Sequence, residues 1–253
     1  MNPHKFSAIA HRDHDYCNPV EAPKIERLLD LLPLDETSRV LDLGCGRAEL
    51  ALRIIERFGS TVVAIDRSSL MLDAARERAE WTGALGKLHL DDVDIADYRA
   101  DPETFHLSRH AGRRRHRGRH GRHLRAAQAV DASRRLHPDR RGLLAPEAAS
   151  RIPGVARAVR TRSSSTIAAT CRPASTPGLI PMHATTASPD EWDEYEWKYC
   201  RAIERYAREQ PEDPDIPAML ERSRRWRDAY LRWGRDTLGF AVHLFYRPGA
   251  RMG

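Results

Sequence analysis

Two carboxylates and two glycines in the first third of the sequence have the spacing of a nucleoside-binding site. Asp42 lies in an apolar stretch and is followed by Gly44 and Gly46, and Asp66 comes twenty residues after Gly46. Glycines let the chain turn sharply and let a ligand lie against bare backbone. A helix that begins directly after them offers unpaired N–H groups, and a carboxylate at the end of the next strand can accept hydrogen bonds from both ribose hydroxyls. The pattern predicts an adenosine-containing ligand; the alternative is an ordinary glycine turn in an α/β protein.

The residue at position 49 separates two kinds of nucleotide-binding loop. A dinucleotide-binding loop carries a third glycine three residues after the second, where it allows a helix to pack closely on a strand. This sequence has Glu49 there. An NAD(P)-dependent oxidoreductase is therefore an alternative that the loop disfavours.

Alternating strands and helices are predicted around these residues. Apolar runs rich in β-branched residues indicate strands, and apolar positions at helical spacing indicate helices. Ser68 or Ser69 is a candidate N-cap and Gly59 a candidate helix end. The predicted helices are residues 20–32, 48–58 and 68–81, and the predicted strands are 39–43, 61–65 and 87–90. This alternation predicts an α/β protein with a Rossmann-like, doubly wound parallel sheet.

The last third of the sequence also has regular patterns. Ser188 is a candidate N-cap, Pro189 suits the first helical position, and acidic residues follow in the first turn. The predicted elements are a strand from Leu179, an aromatic-rich helix from this N-cap to Glu209, a helix over 218–235 and a terminal strand over 240–246. Together they predict further strands of the same sheet and a C-terminal helical cover.

The segment between residues 105 and 141 differs in composition from the rest of the chain. It contains twelve Arg, no Lys and two acidic residues, although the whole chain has a formal charge of only +6. No Phe, Tyr or Trp lies between Phe105 and Trp192. The stretch 106–125 carries eight Arg and five His, and a buried central strand of that composition is expected to hold unpaired charge. Within the segment, residues 126–136 are a candidate helix and 142–144 a candidate short strand.

Two functional explanations of this basic segment are weak. A nucleic-acid-binding arm would place its arginines on phosphates, but such arms usually sit at termini or in linkers, and this one lacks aromatic residues for base stacking. A metal site on His106 and His110, or on His116 and His120, is opposed by nearby glycines, by the surrounding cations and by the lack of acidic residues to orient the imidazoles. We expect no metal site and no specific nucleic-acid partner.

A third explanation is that residues 106–177 are translated out of frame. A GC-rich gene read in the wrong frame yields Arg, Ala, Pro, Ser, Gly and His and few aromatic residues, which is the composition seen. Permitted codons for residues 174–177, read in the neighbouring frame, give Glu-His-Ala-Gly, a natural helix end before the strand at Leu179. This hypothesis predicts an intact cofactor-binding half and missing or improvised fourth and fifth strands, in a chain that folds poorly or lacks activity.

Three motifs together resemble those of the class I S-adenosylmethionine-dependent methyltransferases. VLDLGCGRAEL (40–50) is similar to the first motif of that family, VVAIDRSSLMLDAARERA (62–79) to the second and HLDDVDIADY (89–98) to the third. FSAIAHRDHDYCNPV near the start and TASPDEWDEYEWKYCRAIERYA near the end are similar to a bacterial subfamily of methyltransferase-domain proteins. The resemblance covers residues 1–105 and 178–247.

The resemblance implies S-adenosyl-L-methionine as cofactor and methyl transfer as reaction, with a small-molecule acceptor expected. The positions that match the family's cofactor site are Asp42, Gly44 and Gly46 for the methionine and ribose part, Asp66 for the ribose hydroxyls, Arg67 and Ile95 beside the adenine and Asp94 for its amino group. The matching regions imply four parts of the chain: a helical lead-in (1–35), the cofactor-binding half (36–105), the anomalous segment (106–177) and the C-terminal strands and helical cover (178–253).

Candidates for catalysis and acceptor binding lie outside these motifs. His11 and His14 titrate near neutrality and would act as bases if the acceptor must lose a proton; the alternative is that they are polar residues capping a helix. Trp192, Tyr195 and Tyr199, in the helix between the last two predicted strands, would contact the acceptor; the alternative is packing.

Composition sets the expected compartment. The four cysteines are scattered without CxxC pairing, which fits a reducing compartment, and Cys45 is expected to be a small residue in a tight loop. No apolar run in the sequence is long enough to cross a bilayer, and the N-terminal stretch has no apolar secretory core. We therefore expect a cytoplasmic protein without a membrane partner.

Overall fold

The computed structural model describes residues 1–99, 104–111, 128–136 and 180–246. They divide into two compact units. The helical unit comprises residues 1–21, 134–136 and 186–240, and the sheet unit comprises 22–99, 104–111, 128–133, 180–185 and 241–246. The candidate strand at 142–144 and most of the segment 106–177 lie outside the described residues, so out-of-frame translation stays a hypothesis.

Seven strands of the described residues pair into one sheet. They are β1 Arg39–Leu43, β2 Thr61–Asp66, β3 Leu88–Asp92, β4 Leu107–Ala111, β5 Gln128–Leu136, β6 Ile180–Thr186 and β7 Leu238–Tyr246. Their order is β3-β2-β1-β4-β5-β7-β6, and β3–β2, β2–β1, β1–β4 and β4–β5 are parallel pairs. This arrangement confirms the predicted Rossmann-like α/β fold.

β1 and β2 are buried along almost their whole length, as strands covered on both faces of a parallel sheet are. Leu43 lies opposite Ile65 in their register. One apolar cluster consists of Leu41, Leu43, Val63, Ile65 and Phe105, with Val93, Ile95 and Tyr98 packed against it. The cluster therefore fixes the carboxyl ends of β1 and β2 relative to the chain that follows β3.

The sheet unit has three helices among the described residues. The bounds of two agree with the prediction to within one residue, and the third is shorter than predicted. They are α2 Ala22–Leu29, α3 Glu49–Phe58 and α4 Ser69–Trp81. α3 ends at Gly59, whose φ is +65°, and Ser68 is the residue before α4. The helix predicted over 20–32 ends at Leu29, because the chain tightens into i→i+3 bonds at Leu31 and Leu32 and Pro33 disfavours helical geometry in the residue before it.

The fourth strand, β4, forms at the start of the arginine-rich segment 106–125. β4 lies between β1 and β5, and its Leu107 and Ser108 are buried. The expectation that a buried central strand from residues 106–125 would hold unpaired charge is wrong for Arg109 in 107–111. The strand ends before the arginine run at 113–115 begins, and its one arginine, Arg109, is paired with Asp42 of β1.

The fifth strand replaces a predicted helix. Residues 126–136 were expected to be helical, but Gln128–Leu136 form β5, with Gln128 opposite Leu107 and Ala132 opposite Ala111 of β4. The ladder along β4 supplies hydrogen-bond partners for this backbone, and such tertiary pairing overrides a weak local helix preference.

The helical unit is built from three helices. They are α1 Pro3–Ala10, α5 Pro189–Glu209 and α6 Ile216–Ala229, the last followed by a π-helical turn Tyr230–Gly234 and a helical turn Arg235–Thr237. Ser188 is the N-cap of α5, as the sequence predicts. Its Oγ accepts from the Glu191 N–H at 3.2 Å, and its N–H donates to the Glu191 carboxylate at 2.5 Å, which is a capping box. None of the described helices combines the length and apolar character of a membrane span.

Glu49 links α3 to α4 through a buried carboxylate. The residue is 6% exposed; its Oε1 accepts from the Arg53 Nε at 2.8 Å, and its Oε2 pairs with the Arg78 guanidinium of α4. The position at which a dinucleotide-binding loop needs a glycine is thus filled by a side chain that ties two helices together.

Replacing Glu49 by alanine is expected to lower the free energy of unfolding by about 1–3 kcal/mol, because two guanidinium groups lose a charged hydrogen-bond acceptor. Denaturant unfolding followed by circular dichroism measures the loss. The matched control is Asp73→Ala, which removes an exposed ion pair with Arg76 on α4 and is expected to cost less than about 0.5 kcal/mol. Equal losses in the two variants would contradict the role assigned to Glu49.

Candidate functional site

The loop between β1 and α3 leaves ordinary backbone geometry at three positions. Gly44 and Gly46 have φ angles of +77° and +56°, and Ala48, directly before α3, has a φ of +58°. Glycine adopts this region at little cost, whereas an alanine there is strained by roughly 1–2 kcal/mol. The chain therefore passes from β1 into α3 through a short loop whose shape depends on its contacts with the neighbouring strand.

The end of β2 supplies those contacts. The N–H groups of Gly44 and Cys45 both donate to the Ile65 carbonyl, at 2.7 and 3.0 Å. The Gly46 N–H donates to the Asp66 Oδ2 at 3.0 Å, and the Ser68 N–H donates to the Asp66 Oδ1 at 3.0 Å. The Asp66 carboxylate is thus held between the glycine loop and the start of α4, which brings three predicted site residues, Gly44, Gly46 and Asp66, together.

Asp42 forms an ion pair that the sequence did not predict. It lies opposite Arg109 in the β1–β4 register, and its Oδ1 accepts from the Arg109 Nη1 at 2.6 Å. The same Nη1 lies 3.3 Å from the Gly44 carbonyl oxygen. The side chains of Asp42 and Arg109 are 2% and 12% exposed. The composition of residues 106–125 does not single out Arg109; the signal that identifies it is the β1–β4 register, which places it opposite Asp42.

The turn after β3 holds the remaining cofactor candidates. The Asp94 Oδ1 accepts from the Ala96 N–H at 2.8 Å, which closes a local turn. The Asp94 Oδ2 lies 3.6 Å from the Arg67 Nη1, and the Arg67 side chain is largely exposed. Ile95 packs against the apolar cluster under the ends of β1 and β2. The structure therefore places Arg67 and Asp94 next to each other, in the sheet unit that also holds Asp66.

Cys45, between the two loop glycines, is buried. Burial, with a smaller contribution from the nearby carboxylates of Asp42 and Asp66, raises the pKa of its thiol far above the usual range. The thiol is therefore neutral and unreactive at physiological pH, in agreement with a packing role. Within the described ranges, no three His, Cys, Asp or Glu side chains are grouped so that they could hold a metal ion.

The two candidate histidines lie in the helical unit and make structural contacts. The His11 Nδ1 donates to the Ser7 carbonyl at 2.7 Å, at the end of α1, and its Nε2 lies 2.9 Å from the Tyr195 hydroxyl. His14 is 5% exposed, and its Nε2 donates to the Tyr195 carbonyl at 2.9 Å. These contacts favour helix capping for His11 and a core position for His14, and a catalytic role for either stays a prediction.

The aromatic residues of α5 differ in exposure. Trp192 and Tyr195 are buried in the helical unit, Tyr199 is half-buried and Trp197 is exposed. The Tyr199 ring meets the Phe6 ring edge-on with centroids 5.8 Å apart. These contacts favour the packing alternative, and acceptor contact by Trp192, Tyr195 and Tyr199 stays a prediction.

One family model and one Escherichia coli protein each match part of the sequence. Residues 40–131 match the family model described as "Methyltransferase domain", which covers β1 to the first part of β5 and so includes the glycine loop, Asp66, Asp94 and Arg109. An uncharacterized Escherichia coli (strain K12) protein, YjhP, is 32% identical over 97 residues, 38% of this chain and 39% of that protein. The sequence match thus spans about two fifths of that relative's length.

Solved structures match over nearly the whole chain. The X-ray structure of YjhP from E. coli has a TM-score of 0.80 at 19% identity and covers 96% of this chain and 99% of that one. A SAM-dependent methyltransferase from Geobacter sulfurreducens, in complex with S-adenosyl-L-homocysteine, has a TM-score of 0.79 at 20% identity over 96% and 98% of the two chains. A SAM-dependent methyltransferase from Thiobacillus denitrificans, in the same complex, has a TM-score of 0.76 at 21% identity over 98% and 100%. At these identities the likeness shows the fold.

Acidification is expected to destabilise the protein through His14. Burial, partly offset by the bond to the Tyr195 carbonyl, lowers the pKa of His14 from 6.5, so the folded state keeps it neutral where the unfolded chain takes up a proton. Its contribution to stability is complete above the unfolded pKa and decreases as the pH falls below it, by at most about 1.4 kcal/mol per pH unit.

The measurement compares thermal unfolding of the wild type and of His14→Gln at about pH 7.5 and about pH 5.5. Glutamine can still donate to the Tyr195 carbonyl but does not titrate in this range. We expect the wild type to lose more of its Tm than the variant on acidification. Parallel losses would show that other groups account for the pH dependence.

Proposed function

We propose that this chain, whose residues 40–131 match the methyltransferase-domain model, is an S-adenosylmethionine-dependent methyltransferase of class I. The observation that carries the proposal is the hydrogen bond from the Gly46 N–H to the Asp66 carboxylate. This bond holds the Asp66 carboxylate, an acceptor for ribose hydroxyls, next to the bare backbone of the glycine loop. These two features are what a nucleoside with a flexible tail requires.

The residues present fit this cofactor. Each carboxylate oxygen of Asp66 accepts one backbone N–H and has a second lone pair for a hydroxyl donor. Asp42 has a buried Oδ2 without a hydrogen-bond partner among the described residues. We assign the ribose to Asp66, the adenine to Asp94, Ile95 and Arg67, and the chain beyond the ribose to the loop with Gly44, Gly46 and Asp42.

S-Adenosylmethionine supplies, when bound, a methyl group activated on a sulfonium. The part of the protein is to hold the nucleoside, to align the acceptor and to exclude water. A base is needed only for an acceptor that must lose a proton. His11 and His14 stay the candidates for that role; the His11 Nδ1 donates to the Ser7 carbonyl and its Nε2 lies 2.9 Å from the Tyr195 hydroxyl, and His14 is buried.

An NAD(P)-dependent oxidoreductase is disfavoured by the same loop. The close helix–strand packing of a dinucleotide site depends on a small residue at position 49. Here the Glu49 carboxylate is buried and paired with Arg53 and Arg78. The match of residues 40–131 to the methyltransferase model supports the same choice. Most of the basic segment on which a nucleic-acid-binding role depends lies outside the described residues, and no contact of the described ones favours that role.

We propose a small molecule as the methyl acceptor. Solved structures with this fold include a geranyl diphosphate methyltransferase in complex with SAM and a putative sarcosine dimethylglycine methyltransferase from Galdieria sulphuraria. The acceptors in those names are small molecules. A screen of amine, hydroxyl and carboxylate compounds, each incubated with the protein and the methyl donor, identifies the acceptor.

Substitution of Asp66 is expected to weaken cofactor binding. Asp66→Asn keeps an oxygen for one backbone N–H but removes the charge, and Asp66→Ala removes both acceptors. We expect the affinity for S-adenosylhomocysteine, measured by isothermal titration calorimetry, to fall about 10-fold to 100-fold in the alanine variant and by less in the asparagine variant.

Asp73→Asn, on the exposed side of α4, is the matched control and should bind like the wild type. Circular dichroism establishes that each variant is folded. A folded wild type that binds neither S-adenosylmethionine nor S-adenosylhomocysteine would overturn the proposed function. If Asp66→Ala binds S-adenosylhomocysteine as tightly as the wild type, only the assignment of the ribose to Asp66 is overturned.

A further inference from the structure

We propose that a groove along α5, in the helical unit, binds a small molecule that carries a phosphate monoester. The groove has a volume of about 390 Å³ and is lined by four basic residues and one acidic residue: Lys198, Arg201, Arg205, Arg208 and Asp13. We call it the α5 groove. The inference uses only contacts within the helical unit, so it goes beyond the proposed function and does not depend on it.

The four basic side chains form one row along α5. They follow one another at spacings of three, four and three residues, which makes them neighbours on the helix surface, and like charges at such spacings destabilise a helix. The helix dipole favours a cation at Arg208, in the last turn, but this effect falls off within that turn. It does not account for Lys198 and Arg201, so helix stability alone does not explain the row.

Two carboxylates neutralise part of the row. Both oxygens of Asp13 accept from the Arg205 Nη2, at 2.5 and 2.6 Å. The Glu194 Oε1 is shared, because it lies 3.5 Å from the Lys198 Nζ and 3.4 Å from the Arg201 Nη2. Two acidic groups therefore serve three of the four cations.

The fourth cation, Arg208, is exposed and makes no ion pair with any residue that the structure describes. The acids nearest to it along α5 have other partners. Both oxygens of Glu204 accept from the Arg224 guanidinium of α6, at 2.8 and 3.0 Å, and the Glu209 Oε2 accepts from the Arg12 Nη1 at 2.7 Å. The α5 groove thus has about two positive charges more than it has acidic partners for them.

This surplus matches one phosphate monoester. Such a group carries close to two negative charges at neutral pH and offers three strong acceptor oxygens. The guanidinium fork of arginine donates to two of these oxygens at once. The volume of the groove is in the range of small-molecule sites. A nucleic acid typically needs about six to ten phosphate contacts for tight binding, which is more than this row supplies.

The experiment compares two ligands that differ in charge but share an aromatic ring. Phenyl phosphate is mainly a dianion at about pH 7.5, because its second ionisation has a pKa of about 6, and phenyl sulfate is a monoanion. Dissociation constants for both are measured by isothermal titration calorimetry on the full chain. We expect the wild type to bind phenyl phosphate at least about tenfold more tightly than phenyl sulfate.

Two variants are expected to act in opposite directions. Arg208→Gln removes the cation without an ion pair and should weaken phenyl phosphate about tenfold. Asp13→Asn releases Arg205 for the ligand and should strengthen phenyl phosphate about threefold or more.

Each variant has a control with the same change of charge elsewhere in the helical unit. Arg232→Gln removes an exposed arginine of the π-helical turn, and Glu221→Gln removes an exposed acid of α6. Both should bind phenyl phosphate within about twofold of the wild type. Circular dichroism establishes that each variant is folded, and if Asp13→Asn does not fold, Arg208→Gln still decides.

Three results would overturn the inference. A folded wild type that does not bind phenyl phosphate is the first. Equal weakening by Arg208→Gln and Arg232→Gln is the second, because it would show a response to overall charge. The third is a wild type that binds a twelve-nucleotide DNA strand but not phenyl phosphate, because the groove would then take a polyanion. Binding of S-adenosylhomocysteine is measured separately, so failure here leaves the proposed function standing.

Discussion

The parallel pairing of β1 with β2 determines the shape of the candidate site. Because Leu43 lies opposite Ile65, the N–H groups of Gly44 and Cys45 both reach the Ile65 carbonyl. Asp66, the next residue of β2, supplies the carboxylate that accepts from the Gly46 N–H. A slip of one residue would turn alternate side chains to the opposite face of the sheet and break these bonds. The apolar cluster that holds this register is therefore a precondition for the loop geometry of the candidate site.

Asp66 combines two demands in one carboxylate. Its bonds to the N–H groups of Gly46 and Ser68 fix its orientation before any ligand arrives, so little conformational entropy remains to be lost on binding. The strained φ of Ala48 is held in the same way, by a loop whose backbone is bonded to β2. Preorganisation of this kind explains why a site of few residues requires such a specific local backbone.

The sequence predicted the elements around this loop because their signals are local. The apolar runs of β1 and β2, the helix end at Gly59 and the capping box at Ser188 depend on residues close together in the chain. β4 and β5 were missed because a strand of unusual composition is defined by its neighbours in the sheet, which lie far away in sequence. The same limit hid the role of Glu49, whose partner Arg78 is on another helix.

The composition of β4 did not predict that its arginine would have a buried acidic partner on the neighbouring strand. An arginine in a central strand is excluded only if no acid lies within reach. Here the register puts Arg109 opposite Asp42, at 2.6 Å, and the acid belongs to the motif from which the cofactor site was predicted. Asp42 was assigned to the ligand from the sequence alone, and the structure gives one of its two oxygens to Arg109. The remaining oxygen is buried and has no hydrogen-bond partner among the described residues, so Arg109 accounts for one half of this carboxylate only.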